Sequence, residues 1–281
     1  NKILLKRAEL AQLLGFDNYA DYITSDKMIK NATAVRDFID RIARMAEKPA
    51  AADMALLLAE KQKDHPKATK VTDDEKAYYT ERVKADKYSF DSQAARPYFE
   101  FENVRQGLFD EMGKLFGIQF RAVEGLNLWH ADVTAWDVYD GETHIGRFML
   151  DLHPREGKYK HAACFGFHTG IAGKQIPISV LVCNFPNPKA SSEPALMEHG
   201  QVRTFFHEFG HLLHAMFSGH HDWIGISGIS TEWDFVEAPS QMLEEWTWDA
   251  ARACTFGSRC STRRSRSIST IAGVACSTRT S

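Results

Sequence analysis

Cysteine is scarce over most of this 281-residue chain. Of its five cysteines, only Cys164 and Cys183 precede residue 251. Small secreted domains that depend on disulfides carry many more cysteines, in even numbers. The scarcity therefore excludes a disulfide framework and indicates a reducing compartment, for which we expect the cytoplasm.

Long apolar runs and an excess of positive charge are also missing. No apolar run approaches the roughly 20 residues that a membrane-spanning helix needs, so we expect no membrane partner. The formal net charge is -3, and residues 251–281 hold six arginines and no acidic residue, which leaves -9 for the first 250 residues. An acidic body argues against a nucleic-acid partner.

Lysine, aspartate and glutamate disappear from the end of the chain. Residues 251–281 contain seven serines, five threonines, six arginines and three cysteines, without a recurring apolar pattern. We expect residues 251–281 to form a separate region without a packed core, which is either disordered or out of frame. We favour a translation frameshift or sequencing error near residue 250 over a basic tail that binds an acidic partner. Resequencing the coding DNA decides between them.

The most informative pattern that is present is HEFGH at residues 207–211. It lies in residues 201–217, whose pattern of apolar residues predicts one amphipathic helix. Two histidines four residues apart share one face of a helix and can bind the same metal ion. Zinc accepts neutral imidazole nitrogens, and Glu208 can serve as a general base for the attacking water. The pattern is typical of zinc metalloproteases, with His207 and His211 as ligands.

The surroundings of the motif favour a functional site over two surface histidines. Phenylalanine, leucine and methionine occur on both sides of it, so the helix should be buried. Placing two histidines and a glutamate there is costly unless something satisfies them. Gly210 costs about 1 kcal/mol inside a helix relative to alanine, which the close approach of another element would explain.

A catalytic zinc site needs a third protein ligand. Residues 234–246 read as the next helix, and the glycine-containing loop before it can fold this helix back against the first. We expect Glu237 to be the third ligand, with Glu232 and Glu244 as solvated or outer alternatives. His214 as a fourth ligand would make the zinc structural and leave Glu208 without a role, so we place it in the core or beside the ligands.

Several segments together resemble a known family. FHEFGHLLH at 206–214 and DFVEAPSQM at 234–242 are the closest, and LDLHPREGKYKHAACF at 150–165 and VCNF at 182–185 add to them. The chain resembles, over about residues 1–249, the thimet oligopeptidase and oligopeptidase A family of zinc metallopeptidases. The resemblance implies one Zn²⁺ per chain bound by His207, His211 and Glu237, with Glu208 as the catalytic base.

The resemblance also implies a fold, and this chain departs from the family pattern in two respects. We expect a mainly α fold with a small β-sheet, zincin-like, in which helical walls form a deep channel for short peptides. Family members are longer than this chain, which opens at Asn1 and resembles an internal fragment. In the family, a later helical region supplies Tyr and His residues that hold the substrate carbonyl and the oxyanion, and nothing here matches it.

The pattern of apolar residues divides the chain further. We expect a helical wall region over 1–120 and a catalytic zinc region over 121–250, formed by a sheet and two zinc-ligand helices. One helix should start at Asn31 or Thr33, and a later segment should end before Pro66. A helix over 99–116 should turn Val104, Leu108, Met112 and Leu115 inward.

β-structure is predicted in the middle of the chain. Residues 132–139 and 144–151 flank Asp140 and Gly141, which favour a hairpin, and residues 177–184 form another strand. A polar turn follows the second of these strands. His153, Arg155, Lys158 and His161 in this turn could bind a substrate carboxylate or carbonyl, although a plain structural turn explains them equally well.

The sequence therefore predicts a zinc-dependent metallo-oligopeptidase that hydrolyses internal bonds of short peptides. An extended peptide could add as a strand to the edge of the sheet beside the zinc helix. The alternatives are a dipeptidyl carboxypeptidase, a zinc-binding but inactive fragment, and a helical binding module. No pattern in the sequence indicates an oligomeric state.

Overall fold

The computed structural model describes residues 1–89 and 91–249. Residue 90 and the segment 250–281 lie outside the described residues, and so does the predicted out-of-frame tail. The described chain forms two compact units. The first unit comprises residues 1–89 with 232–236, and the second unit comprises residues 91–231 with 237–249.

The first unit is helical, as the sequence predicts. Its helices are α1 (Lys2–Leu13), α2 (Tyr19–Thr24), α3 (Ala32–Asp64) and α4 (Asp73–Tyr88). The Asn31 side chain accepts a hydrogen bond from the Ala34 N–H, which confirms the predicted start of α3. α3 ends before Pro66, and it packs on α4 through a small cluster that includes Leu57 and Tyr79.

The second unit contains three helices and one sheet. Its elements are α5 (Phe101–Phe116), β1 (Ile118–Val123), β2 (Thr134–Asp140), β3 (Thr143–Asp151), β4 (Ala163–His168), β5 (Ile178–Val182), α6 (His199–Phe217) and α7 (Ala238–Glu244). The strand order is β1-β2-β3-β5-β4. β3 and β5 run parallel and the other neighbours run antiparallel. β4 is therefore an edge of the sheet.

The predicted hairpin is confirmed. β2 and β3 pair antiparallel around a tight turn in which Gly141 has φ +56°, a conformation that favours glycine. The strand predicted at 177–184 is also present, as β5. About half of the described residues are helical, and the five strands form one small mixed sheet, which agrees with the expected combination of helices and a small sheet. None of the described helices combines the length and apolar character needed to cross a membrane.

Phenylalanine rings join α5, the sheet and α6 into one core. Phe109 of α5, Phe120 of β1, Phe148 of β3 and Phe209 of α6 lie with ring centroids 4.7 to 6.1 Å apart. Because α5 belongs to this core, the second unit begins near residue 91, whereas the sequence led us to expect a boundary near residue 120.

One inward-facing residue of α5 was wrongly predicted. Val104, Leu108 and Met112 are buried, but Leu115 is 44% exposed. The buried positions of α5 end at Met112, so its last turn extends past the edge of the core.

Candidate metal centre

α6 carries the HEFGH motif on a helix that is anchored in the core. Its buried positions include Phe205, Phe209 and Leu212. His207 and His211 are four residues apart, and their ring centroids lie 5.0 Å from each other on the partly exposed face. The apolar face therefore fixes the helix while the two imidazoles remain accessible.

α7 brings a carboxylate to the two histidines. Glu237 precedes the first residue of α7, and its Oε2 lies 3.2 Å from Nε2 of His207 and 3.2 Å from Nε2 of His211. The Ser240 hydroxyl donates a hydrogen bond to the same oxygen at 2.7 Å and holds the carboxylate in place. The structure thus brings the three predicted ligands together.

The donor set fits a catalytic zinc ion. One atom from each of His207, His211 and Glu237 lies within 4.8 Å of the other two, and among residues 1–89 and 91–249 no other group of His, Cys, Asp or Glu meets this criterion. Two imidazole nitrogens and one carboxylate oxygen are a ligand set of catalytic zinc sites, which keep a fourth position open. His214 lies outside this group.

Gly210 allows the two helices to approach closely. A Cβ atom at this position would lie 2.6 Å from Cα of Ser240 and 2.9 Å from the carbonyl oxygen of Pro239. Both contacts are with the backbone at the start of α7. This close approach explains why a glycine occurs inside α6. It also explains how Glu237 reaches the histidines.

Glu244 orients one of the ligands. The Nδ1–H of His207 donates a hydrogen bond to Glu244 Oε1 at 2.7 Å, which leaves Nε2 free to bind a metal. The other Glu244 oxygen lies 3.5 Å from Nε of Arg203. The sequence offered Glu244 as an outer alternative to Glu237, and the two are seven residues apart, or two turns of α7.

Glu208 points into a buried site beside the sheet. It is 8% exposed, and burial raises the pKa of its carboxyl, while the nearby backbone of Cys164 acts in the opposite direction. Cys164 belongs to β4, which packs against α6. The predicted base therefore lies close to the edge strand of the sheet.

Burial also acts on the histidines of α6. It lowers the pKa of His211 and of His214, which favours the neutral imidazole that a metal requires. His199 is the first residue of α6, and its Nε2 lies 3.0 Å from the carbonyl oxygen of Thr247.

The turn after β3 is built from interior hydrogen bonds. His153 is buried, and its Nδ1–H donates to the Phe185 carbonyl oxygen at 3.2 Å. Arg155 donates two hydrogen bonds to Asp151, at 2.6 and 2.8 Å. His161 is exposed, and its ring lies 5.5 Å from that of Tyr159. A substrate-binding role of His153, Arg155 and His161 stays a prediction.

Lys158, the fourth candidate in this turn, connects the turn to the sheet. Its ammonium donates hydrogen bonds to the carbonyl oxygens of Asp151, His153 and Cys183, at 2.9, 2.6 and 2.6 Å. Burial lowers the pKa of Lys158, while the Asp151 carboxylate counteracts this effect. A lysine with three carbonyl acceptors joins the ends of β3 and β5.

Comparison with known proteins indicates the same class of protein as the fold and the candidate metal centre do. The model of peptidase family M3 matches residues 1–271. The chain belongs to this family, which confirms the resemblance, and the match continues into the arginine- and serine-rich region.

Individual relatives include both oligopeptidases and carboxypeptidases. The chain is 38% identical to oligopeptidase A of Escherichia coli (strain K12), over 88% of this chain and 37% of that protein. It is 34% identical to the thimet-like oligopeptidase of Dictyostelium discoideum, over 86% and 38%. It is 35% identical to the dipeptidyl carboxypeptidase of Escherichia coli (strain K12), over 85% and 35%. The chain spans just over a third of the length of these relatives.

Proposed function

We propose that this chain carries the catalytic zinc centre of an oligopeptidase that hydrolyses internal bonds of short peptides. The observation that carries the proposal is the convergence of His207, His211 and Glu237 beside the buried carboxylate of Glu208. A structural zinc site is closed by four protein ligands and has no use for a neighbouring base. Membership of peptidase family M3 supports the proposal.

Each residue of the centre has a distinct task. A zinc ion held by His207, His211 and Glu237 would polarise the scissile carbonyl and make water acidic enough to react near neutral pH. Glu208 would accept the proton of the attacking water and later deliver it to the leaving amine. Glu244 would keep the Nε2 atom of His207 directed at the metal.

The edge strand β4 is the proposed binding site for the peptide backbone. Among the described residues, β4 pairs with β5 on one side only. β4 packs against α6, and Glu208 of this helix lies close to Cys164 of the strand. A peptide added as a strand would be held by its backbone, so many sequences could bind. A channel with helical walls, implied by the family resemblance, would restrict the substrates to short peptides.

Two alternatives stay open within the same family. A dipeptidyl carboxypeptidase is supported by a relative with that activity in its name. A zinc-binding but inactive fragment follows if the Tyr and His donors that the resemblance implies are missing, since loss of an oxyanion donor costs about 10²–10³ in rate. The cytoplasmic location and the exclusion of nucleic acid remain proposals from composition.

The test combines metal removal with two forms of one peptide. We expect the chain to cleave an internally quenched peptide, to lose activity in a chelator, and to regain it with zinc. An endopeptidase cleaves the peptide equally well with a free or an amidated C-terminus, whereas a dipeptidyl carboxypeptidase requires the free carboxylate. Activity that persists after complete metal removal would overturn the proposal.

A further inference from the structure

An exposed pair of aromatic rings lies on the proposed peptide-binding strand. Tyr159 is 51% exposed and Phe165 is 46% exposed, and their rings pack edge to face with centroids 5.8 Å apart. Phe165 belongs to β4, and Tyr159 belongs to the turn before it. We name this pair the aromatic ledge. It takes no part in the metal centre described above.

The backbone of β4 shows which of its sides is available. The Cys183 N–H donates to Asp151 of β3, and because alternate residues of a strand direct their backbone groups to opposite sides, those of Val180 are directed at β4. In an antiparallel pair, neighbouring residues direct their N–H and C=O groups to opposite sides. The Phe165 backbone is therefore directed at β5, where Phe165 lies opposite Val180. A peptide on the free side would bond to Cys164.

The two faces of β4 have different surroundings. The Cys164 side chain packs against the main core between the sheet and α6. Successive side chains of a strand alternate between faces, so Phe165 lies on the opposite face, together with Val180 of the small second cluster. A substrate residue directly opposite Phe165 would place its side chain on the same face, about 4.5–5.5 Å away between Cβ atoms.

We infer that the aromatic ledge of Tyr159 and Phe165 selects an apolar side chain at one substrate position, within about two residues of the scissile bond. The short distance follows because Phe165 is the next residue after Cys164, which packs against the core that contains α6, the helix of Glu208, and a strand advances about 3.3 Å per residue. The inference rests on the proposed function, since it assumes that the peptide adds to β4.

The next position of the strand adds no selection. Gly166 follows Phe165 and offers no side chain, and a Cβ atom built there would meet nothing within 4 Å. The pairing of β4 with β5 also becomes irregular between Gly166 and His168. The strand can therefore discriminate at the position opposite Phe165 but not at the position opposite Gly166.

The test measures binding separately from cleavage. A Glu208→Gln chain loaded with zinc is titrated with fluorescent peptides that carry leucine, phenylalanine, glycine or aspartate at one position at a time. We expect phenylalanine and leucine to bind about two- to twelvefold more tightly than glycine at a single position, as aromatic contacts do. Phe165→Ala should abolish this preference, and Phe165→Leu should retain part of it.

Phe38→Ala is the matched control, because Phe38 is 50% exposed but belongs to α3 of the first unit, whereas β4 belongs to the second unit. It should leave the preference unchanged. A preference that survives Phe165→Ala, or the absence of any positional preference, would overturn the inference. The proposed function is judged separately, by zinc-dependent cleavage in the chain with an intact Glu208.

Discussion

At the scale of single residues, the hydrogen bond between His207 and Glu244 should set the strength of metal binding. The carboxylate increases the basicity of the imidazole and fixes the direction of Nε2. We predict that Glu244→Gln lowers zinc affinity about tenfold and that Glu244→Ala lowers it up to about 100-fold, because loss of such outer partners has effects of this size. Competition with a fluorescent chelator measures the affinity.

Glu193→Gln is the control for this prediction, because Glu193 is exposed in a loop before α6. It should bind zinc as the unchanged chain does. Equal zinc affinities for Glu244→Ala and Glu193→Gln would show that Glu244 does not support the metal site.

Gly210 and Gly200 form a natural pair for testing the contact between α6 and α7. Gly210→Ala places a methyl group 2.6 Å from the Ser240 backbone, so α7 must move and carry Glu237 with it. We predict a loss of about 1–3 kcal/mol in unfolding free energy, together with weaker zinc binding. Denaturant titration and the chelator assay measure the two effects.

Gly200→Ala is the counterpart in the same helix, where a Cβ atom meets nothing within 4 Å. It should be neutral or stabilise the chain by up to about 1 kcal/mol, since alanine favours helix. Similar effects of the two substitutions would contradict the close contact at Gly210.

The sequence predicted the residues of the metal site but not all of their contacts. His207, Glu208 and His211 follow from spacing on a helix, which needs no tertiary information. Glu237 needed only the expectation that a second helix folds back. That Glu244 binds His207, and that Glu208 lies close to Cys164, depends on the rotation of α7 and the position of β4, which no local pattern encodes.

At the scale of elements, a charged cluster stabilises the end of β3. Burial by itself would raise the pKa of the Asp151 carboxyl, but hydrogen bonds from Arg155, Trp129 and Lys158 hold it well below its usual value. A depressed pKa contributes stability that is present above the unfolded value near 4 and is lost as the pH falls below it. The cluster should therefore weaken in acid.

We predict that Asp151→Asn lowers the unfolding free energy at pH 7 by about 3 kcal/mol, because it leaves Arg155 and Lys158 without their charged partner. Its stability should also fall less than that of the unchanged chain as the pH drops from about 5 to about 2.5. Denaturant titrations at several pH values give both results. Asp140→Asn, in the exposed hairpin turn, should behave like the unchanged chain.

The elements themselves were predictable where a pattern was local. The β2–β3 hairpin has alternating apolar residues and a turn at Asp140 and Gly141, and it was predicted. β4 was not, because four of its six residues are exposed and the strand contains Gly166. Its pairing with β5 supplies the stability that its composition lacks. The proposed role of β4 in peptide binding therefore rests on the structure and not on the sequence.

At the scale of the whole chain, one acidic protein segment contains every residue of the proposed metal centre. The segment belongs to peptidase family M3 and spans just over a third of the length of its relatives. The central claim is that this segment binds zinc and that Glu208 performs the proton transfers. The claim separates metal binding, which needs His207, His211 and Glu237, from cleavage, which also needs Glu208.

The most direct measurement compares zinc content and peptide cleavage in this chain and in Glu208→Ala. We predict one zinc ion per chain in both proteins. The unchanged chain should cleave the peptide, and the variant should cleave it at least about 10²-fold more slowly. Zinc in both without cleavage in either would support the inactive-fragment alternative. Failure of the unchanged chain to retain zinc, or equal cleavage by both proteins, would contradict the proposed function.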